Sequence, residues 1–387
     1  MTAVRSTHGV RHLSSELVSR AIPATVFGVH DLNHGDLTAL KVVTSDVDEP
    51  MDATTVIRLL HVLREHLEML AFPLVIDLAF TELAGLPEAR NFSRRPLIAV
   101  IEADELFDRP AAFVDAISTA RQLGWEIGLR KVGASYASLA AMAVIEPSVI
   151  LLDHSYVVDA TGPLGLETIQ AVSAYSQATG ASVLAGPLTT SAQLQGATRL
   201  LATLGWGSAV HSPAVTAGDT YELDLFTPPL RPTRGQSCWD LAASRHRPLA
   251  TNASVLEALS ETIETQALAA GPSTVVCAGV LEARLIHPAR WRRYDNLARA
   301  ASSVNVLAEG ATHGPRVGAT TVELHTGDPM RNEWVTLVLG PVSAVLLVAR
   351  IQPAHIRGGT PDFTFVLSYE RELVAQAARS IFTRIGA

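Results

Sequence analysis

Residues 124–153 read GWEIGLRKVGASYASLAAMAVIEPSVILLD. Glu126–Leu129 has the makings of a short buried strand, Tyr136–Val144 of an apolar helix, and Val149–Leu152 of a second buried strand ending in Asp153. Apolar runs of strand length on either side of a helical run predict a parallel strand–helix–strand unit. The same alternation continues outward. Upstream, Thr25–His30 and Leu37–Val43 flank the turn sequence DLNHGD, a hairpin signal. Ala53–Met69 has apolar residues at helical spacing, PLVIDLAF (73–80) and Pro96–Ile101 are strands, and Pro110–Leu123 is a helix stopped by Gly124. Downstream, a helix over Leu166–Thr179 stops at Gly180, Ser182–Leu184 is a strand, and Thr190–Leu204 is a helix stopped by Gly205. The fold class this predicts is α/β. A (β/α)8 barrel would bring Asp77, Glu102, Arg130, Lys131, Asp153 and Gly186 to one mouth, because each lies at a C-terminal strand end. An open doubly wound sheet fits the periodicity almost as well.

Composition bounds the function. Among 387 residues, 48% are hydrophobic and 18% charged, so the chain has a core and is not disordered. A net charge of −8 argues against nucleic-acid binding driven by bulk charge. Cys238 and Cys277 cannot build a disulfide framework and are expected as buried free thiols. No secretory leader is expected in residues 1–23. Trp334–Ala349 is nearly all apolar, but it is short for a membrane span and broken by Gly340-Pro341. Two buried strands with a turn between them are expected there, and the protein is expected to be soluble and cytoplasmic, without a membrane partner.

The alternation ends near Val210. Residues 227–247 read TPPLRPTRGQSCWDLAASRHR, a Pro- and Arg-rich stretch expected to be a linker. Mixed helices and strands follow. The expected organisation is an N-terminal extension over 1–22, a barrel over 23–226, a linker over 227–250 and an α+β domain over 251–387.

The run GWEIGLRKVGASYASL (124–139) resembles the G-x-x-x-x-L-D-D-F-G-T-G-Y-S-S-L segment of EAL domains, TIM-barrel phosphodiesterases that hydrolyse cyclic di-GMP. PSVILLDHSYV (147–157) resembles their P-D-x-I-K-I-D-R-S-F-V, and SVLAGPLTT (182–190) stands where V-V-A-E-G-V-E-T would be. The resemblance covers roughly residues 26–213. It implies two divalent metals held by carboxylates and an Asn, which activate water for attack on phosphorus. Here the residues aligned with that set are different. Thr38 stands for the Glu that names the family, Asp77 for the Asn, Ala99 for the metal Glu of an E-I-T-E segment whose second Glu survives as Glu102, and Arg130-Lys131 for the Asp pair. Leu151 stands for a Lys, Gly186 and Thr189 for two Glu residues, while Asp153 is retained.

Two acids replaced by two bases change the local charge by about +4, which would repel an incoming divalent ion by several kcal/mol even at an effective dielectric of about 20. No catalytic residue, metal or cofactor is therefore expected. Two readings of the mouth stay open. Arg130 and Lys131 could hold the phosphates of cyclic di-GMP directly, making a metal-independent receptor. Alternatively, they pair with Asp77, Glu102 and Asp153 in an inert plug. An active phosphodiesterase is the third and least favoured.

The C-terminal part resembles the DICT domain, a GAF/PAS-type sensory module found with diguanylate cyclases and two-component proteins. The stretches are RYDNLARAA (293–301), DPMRNEWV (328–335), LGP (339–341) and FTFVLSYERELV (363–374). Tyr294, Trp334 and Tyr369 are candidates for a small-molecule pocket, large rings with polar handles; Trp334 and Phe365 as plain core aromatics is the competing reading. His287, His313 and His325 lack metal-ligand spacing, and Arg231, Arg234, Arg245 and Arg247 make the linker basic. The combination implies an actinobacterial signalling protein. In it a degenerate EAL domain, a pseudoenzyme, and a DICT domain couple sensing of cyclic di-GMP or another small ligand to a protein partner; a homodimer is expected.

Overall fold

The structure is a computed structural model, and it describes residues 24–44, 50–64, 72–158, 161–210, 223, 225, 235–311, 314–316, 318–357 and 360–386. The chain divides into two compact units. One is built on a closed barrel; the other is built on the C-terminal sheet and also takes residues 104–114 and 139–145. The expected extension over 1–22 lies outside the described residues.

The barrel has eight strands in sequence order: β1 (Ala24–Asp31), β2 (Leu37–Thr44), β3 (Leu74–Asp77), β4 (Leu97–Ile101), β5 (Glu126–Val132), β6 (Val149–Leu152), β7 (Ser182–Ala185) and β8 (Leu204–Gly205). β1 runs antiparallel to both β2 and β8, so the hairpin expected from DLNHGD is present; the remaining pairs are parallel. Helices α1 (Ala53–Arg64), α2 (Pro110–Gln122), α3 (Tyr136–Ile145), α4 (His154–Val158), α5 (Pro163–Thr179) and α6 (Ser191–Arg199) connect them. Closure decides between the two architectures that the periodicity left open, in favour of the barrel.

Two elements differ from expectation. β3 stops at Asp77, and Phe80–Gly85 coils into a 3-10 helix whose Glu82 accepts the backbone N–H of Ala53 at 3.0 Å. Helix α6 stops at Arg199 rather than Leu204. The Leu200 N–H turns back to the carbonyls of Gly196 and Ala197, and Leu201 takes a left-handed φ of 64°. That break releases Leu204–Gly205 to form the strand that closes the barrel.

The barrel interior is filled by Val29, Ala39, Val43, Val75, Ile98, Val100, Val149, Leu184, Leu204 and Trp206, all buried. β5 contributes Gly128, where a Cβ would sit 2.9 Å from a Val100 methyl. Side chains alternate across a strand with period two. Residues two beyond these positions are therefore inward as well, and they form the layer described below.

The second unit carries an eight-stranded mixed sheet in the order β12-β13-β11-β10-β14-β15-β16-β9. The strands are β9 (Leu249–Asn252), β10 (Val275–Glu282), β11 (Ser303–Glu309), β12 (Gly314–Arg316), β13 (Ala319–Glu323), β14 (Glu333–Leu339), β15 (Ala344–Arg357) and β16 (Thr360–Ser368). The helices are α7 (Cys238–Ala243), α8 (Ala253–Ala270), α9 (Pro288–Ala300) and α10 (Arg371–Phe382). This is the expected α+β class. The apolar run 334–349 is a hairpin, β14 and β15 paired antiparallel from Glu333–Arg350 to Leu339–Ala344. No helix among the described residues is long and apolar enough to cross a membrane.

The stretch expected to be a linker is structured where it is described. Ser237 caps α7, its hydroxyl accepting the Asp240 N–H at 3.1 Å, and Glu333 takes the Trp239 N–H at the same distance. Leu249 then begins β9, paired with Phe365. Arg245 binds Glu370 and Glu372, whereas Arg231 and Arg234 lie outside the described residues.

Candidate functional site

The inward layer at the C-terminal strand ends follows from alternation. Lys41 is two beyond Ala39, Asp77 two beyond Val75, Glu102 two beyond Val100, Arg130 two beyond Gly128, Leu151 two beyond Val149, and Gly186 two beyond Leu184. The carboxylate of Asp77 takes the ammonium of Lys41 in a buried ion pair, and Arg130 Nη1 lies 3.7 Å from its other oxygen. Arg130 Nη2 and Lys131 Nζ both stand 3.0 Å from Glu102 Oε1.

Lys131 breaks the alternation. The register between β5 and β6 shifts between Leu129 and Val132, and Lys131 has a φ of 56°. A bulge of this kind re-aims a side chain, and here it turns two consecutive cations onto one carboxylate. Three cations thus meet two acids. Burial pulls the Lys41 ammonium below its ordinary value, Asp77 opposes that shift, and Arg130 adds to it. Asp153 stays out of this cluster: its carboxylate accepts the N–H and the hydroxyl of Ser155 at the start of α4.

A cavity of about 310 Å³ opens over this layer, with Lys41, Arg130, Lys131, Asp153, Gly186 and Trp206 in its wall. Gly186 has a φ of +155°, and a Cβ there would lie 2.5 Å from the Trp206 indole and 2.7 Å from the Trp206 carbonyl oxygen. The indole occupies the space that any side chain at 186 would need.

Other positions singled out from the sequence lie elsewhere. Thr38 alternates with Ala39, and its hydroxyl donates to the Val29 carbonyl at 3.1 Å. Ala99 alternates with Ile98 and Val100 and so faces away from the interior; the acid that β4 brings to the mouth is Glu102. Thr189 donates to Gln193 Oε1 through its N–H and its hydroxyl, and borders a different cavity beside Asp31. Lys41 and Trp206 were not singled out from the sequence. The alternation from Ala39 and from Leu204 is the signal that locates both.

A pair of divalent metals does not fit this layer. The carboxylate oxygens that would ligate them already hold Lys41, Arg130 and Lys131, and a further doubly charged ion would sit among three cations. Among the described residues no three His, Cys, Asp or Glu side chains converge as a metal site.

In the second unit, Tyr294 and Trp334 come together and Tyr369 does not. Tyr294 is fully buried, and its hydroxyl has no hydrogen-bond partner among the described residues. Burial pushes that phenol above its ordinary range. Trp334 Nε1 donates to Ser260 Oγ at 2.9 Å. The guanidinium of Arg290 lies 4.7 Å from the Trp334 ring and 5.7 Å from the Tyr294 ring, and reaches Glu257 and Glu264 at 3.2 and 3.4 Å. Arg293 joins the same two acids. Tyr369 is two-thirds exposed at a separate cleft. His287 caps α9, accepting the Ala289 N–H, while His313 lies outside the described residues. Both cysteines are buried and free.

Residues 238–352 match the DICT family, described as a sensory domain in diguanylate cyclases and two-component systems. The match includes three of the four stretches read from the sequence and ends before 363–374. No curated protein matches the chain. Among solved structures, similarity extends to Klebsiella pneumoniae BlrP1 in a calcium and cyclic di-GMP complex, at 16% identity and a TM-score of 0.39, covering 52% of this chain and 58% of that one. It extends to the EAL domain of Mycobacterium smegmatis DcpA at 16% identity and a TM-score of 0.37, covering 48% and 90%. The EAL domain of Xanthomonas citri FimX with cyclic di-GMP is similar at 15% identity and a TM-score of 0.38, covering 54% and 93%. The chain spans less than two thirds of BlrP1. It carries a DICT sensory domain over residues 238–352, preceded by a TIM-like barrel similar to EAL domains.

Proposed function

We propose that this chain is a signalling protein whose barrel does not hydrolyse cyclic di-GMP and whose C-terminal domain senses a small ligand. One observation carries the reading: Lys41, Arg130 and Lys131 already neutralise Asp77 and Glu102 at the mouth. Water activation at phosphorus needs carboxylates free to hold a divalent ion. The buried Lys41 and Arg130 and the partly exposed Lys131 would each have to give up these carboxylates for the ion to enter. The barrel then serves as a scaffold, and ligand occupancy of the sensory domain acts through the different affinities of two states for a protein partner.

The test uses the whole chain with cyclic di-GMP and Mn²⁺ or Mg²⁺, with chromatography to detect the linear dinucleotide. No product is expected. Turnover that Glu102→Gln abolishes would overturn the reading. Calorimetry of the same mixture without metal addresses the receptor alternative, which the cavity over Arg130 and Lys131 favours. Micromolar binding lost in Arg130→Ala/Lys131→Ala would assign the mouth to the nucleotide, and absence of heat leaves it a scaffold.

A further inference from the structure

The chain carries 30 Lys and Arg residues, and only two of them are lysines, Lys41 and Lys131. The fold brings both, far apart in sequence, into the wall of the same cavity of about 310 Å³ at the barrel mouth. Every other member of that count is arginine. Where the chain needs charge alone it uses arginine, as in the ion pairs of Arg290 and Arg293 with Glu264 and of Arg350 with Glu333. A guanidinium keeps its proton, whereas an ammonium that gives up its proton becomes a nucleophilic amine. Charge does not explain why the two exceptions are lysines, nor why they share one cavity.

The two amines stand in different surroundings. Lys41 is buried with its Nζ on the Asp77 carboxylate, and both residues line the cavity. Burial favours its neutral amine, and so, against the pull of Asp77, does Arg130. Desolvation and a neighbouring cation are the conditions that activate a lysine as a nucleophile. Lys131 is 39% exposed, and the β5 bulge turns it to the mouth. Its Nζ shares Glu102 Oε1 with Arg130 Nη2, each at 3.0 Å. Glu102 therefore keeps a partner when Lys131 turns to an anionic ligand. The cavity volume lies at the small end of the range for ligand sites.

We propose that the barrel mouth captures a small α-keto acid as an imine on Lys41, with the carboxylate of the acid facing Lys131. The Lys41 ammonium passes a proton to Asp77, and the amine adds to the carbonyl carbon. The carbonyl oxygen takes a proton from the nitrogen and becomes a hydroxyl. That hydroxyl leaves as water with the proton held on Asp77, and the nitrogen electron pair closes the C=N bond. The product is a protonated imine still paired with Asp77. No oxidant, reductant or further reactant is consumed. The inference goes beyond the reading of the barrel as non-hydrolytic: a hydrolysis assay does not test it, and the labelling below does not test hydrolysis.

The probe is glyoxylate with sodium cyanoborohydride, which reduces the imine to a stable carboxymethyl-lysine. It is applied to the whole chain, and adducts are located by peptide mass mapping. Each rate is taken relative to the urea-unfolded chain. Lys41 is expected to be labelled faster in the native protein than in the unfolded one, and neutral acetaldehyde should show at least tenfold less of this gain. Lys131→Arg keeps the cation and leaves Lys41 as the single lysine, so its labelling should match the wild type. Lys131→Met should lose at least tenfold with glyoxylate and be unchanged with acetaldehyde, at an unaltered melting temperature. A native Lys41 that stays unlabelled, or is labelled no faster than in urea, overturns the proposal. So does a gain that is the same for both aldehydes.

Discussion

A Cβ on Gly186 would sit 2.5 Å from two ring atoms of the Trp206 indole, so the tryptophan occupies the place of a side chain just past the end of β7. Glycine's φ of +155° adds a backbone conformation that other residues rarely adopt. Gly186→Ala is expected to cost about 1–3 kcal/mol, the range for overpacking a tight core. The cost should shrink in a Trp206→Leu background. Urea unfolding of the four proteins measures it, and equal costs in both backgrounds would show that the indole is not the obstacle.

Lys41 is buried to 1% exposure against Asp77. Removing one member of a buried pair typically costs about 3–5 kcal/mol, because the other charge is left without compensation. Lys41→Met is expected near the lower end, since Arg130 remains 3.7 Å from Asp77. Lys41→Met/Asp77→Leu should recover most of that loss, and a double variant as unstable as the sum of the single ones would contradict the pairing.

Glu333 is buried, and burial raises its carboxyl above the ordinary 4.5 despite the hydrogen bonds from Ser237, Arg350 and the Trp239 N–H. Between 4.5 and the raised value the native state holds a proton that the unfolded chain has released. Stability from this group is therefore complete below 4.5 and is lost as pH rises through the folded value. Unfolding free energies of wild type and Glu333→Gln, compared across that window, should diverge in slope, the wild type falling with pH relative to the variant. Parallel curves would rule the shift out.

Burial pushes the Cys277 thiol up to about 12 and the Cys238 thiol well above its ordinary value. Both are fully buried and protonated at neutral pH, so neither supplies the reactive thiolate. Mass spectrometry should find no iodoacetamide adduct on the native chain and two after denaturation. An adduct on native protein would mean that one of these segments opens.

Much of the barrel was legible because buried parallel strands leave apolar runs of fixed length between helices. Residues 124–153 show this in full. The short closing strand was not legible, since Leu204–Gly205 looks like a helix end until Leu201 turns left-handed. Helix α7 was hidden inside a Pro- and Arg-rich stretch: Ser237 caps it locally, but its Trp239 N–H is satisfied by Glu333, a residue far along the chain.

The candidate site divides in the same way. Sequence alone determined that acids and bases gather at the strand ends, because strand order and alternation are local properties of the chain. It also marked Tyr294 and Trp334 as aromatic residues of interest. Only the tertiary structure decided that Lys41 reaches Asp77, that Ala99 faces away while Glu102 faces in, and that Tyr369 stands apart from the other two rings. Each of those outcomes depends on which side chains meet across strands distant in sequence, and pairing of that kind is set by barrel closure and sheet register, which no local pattern encodes.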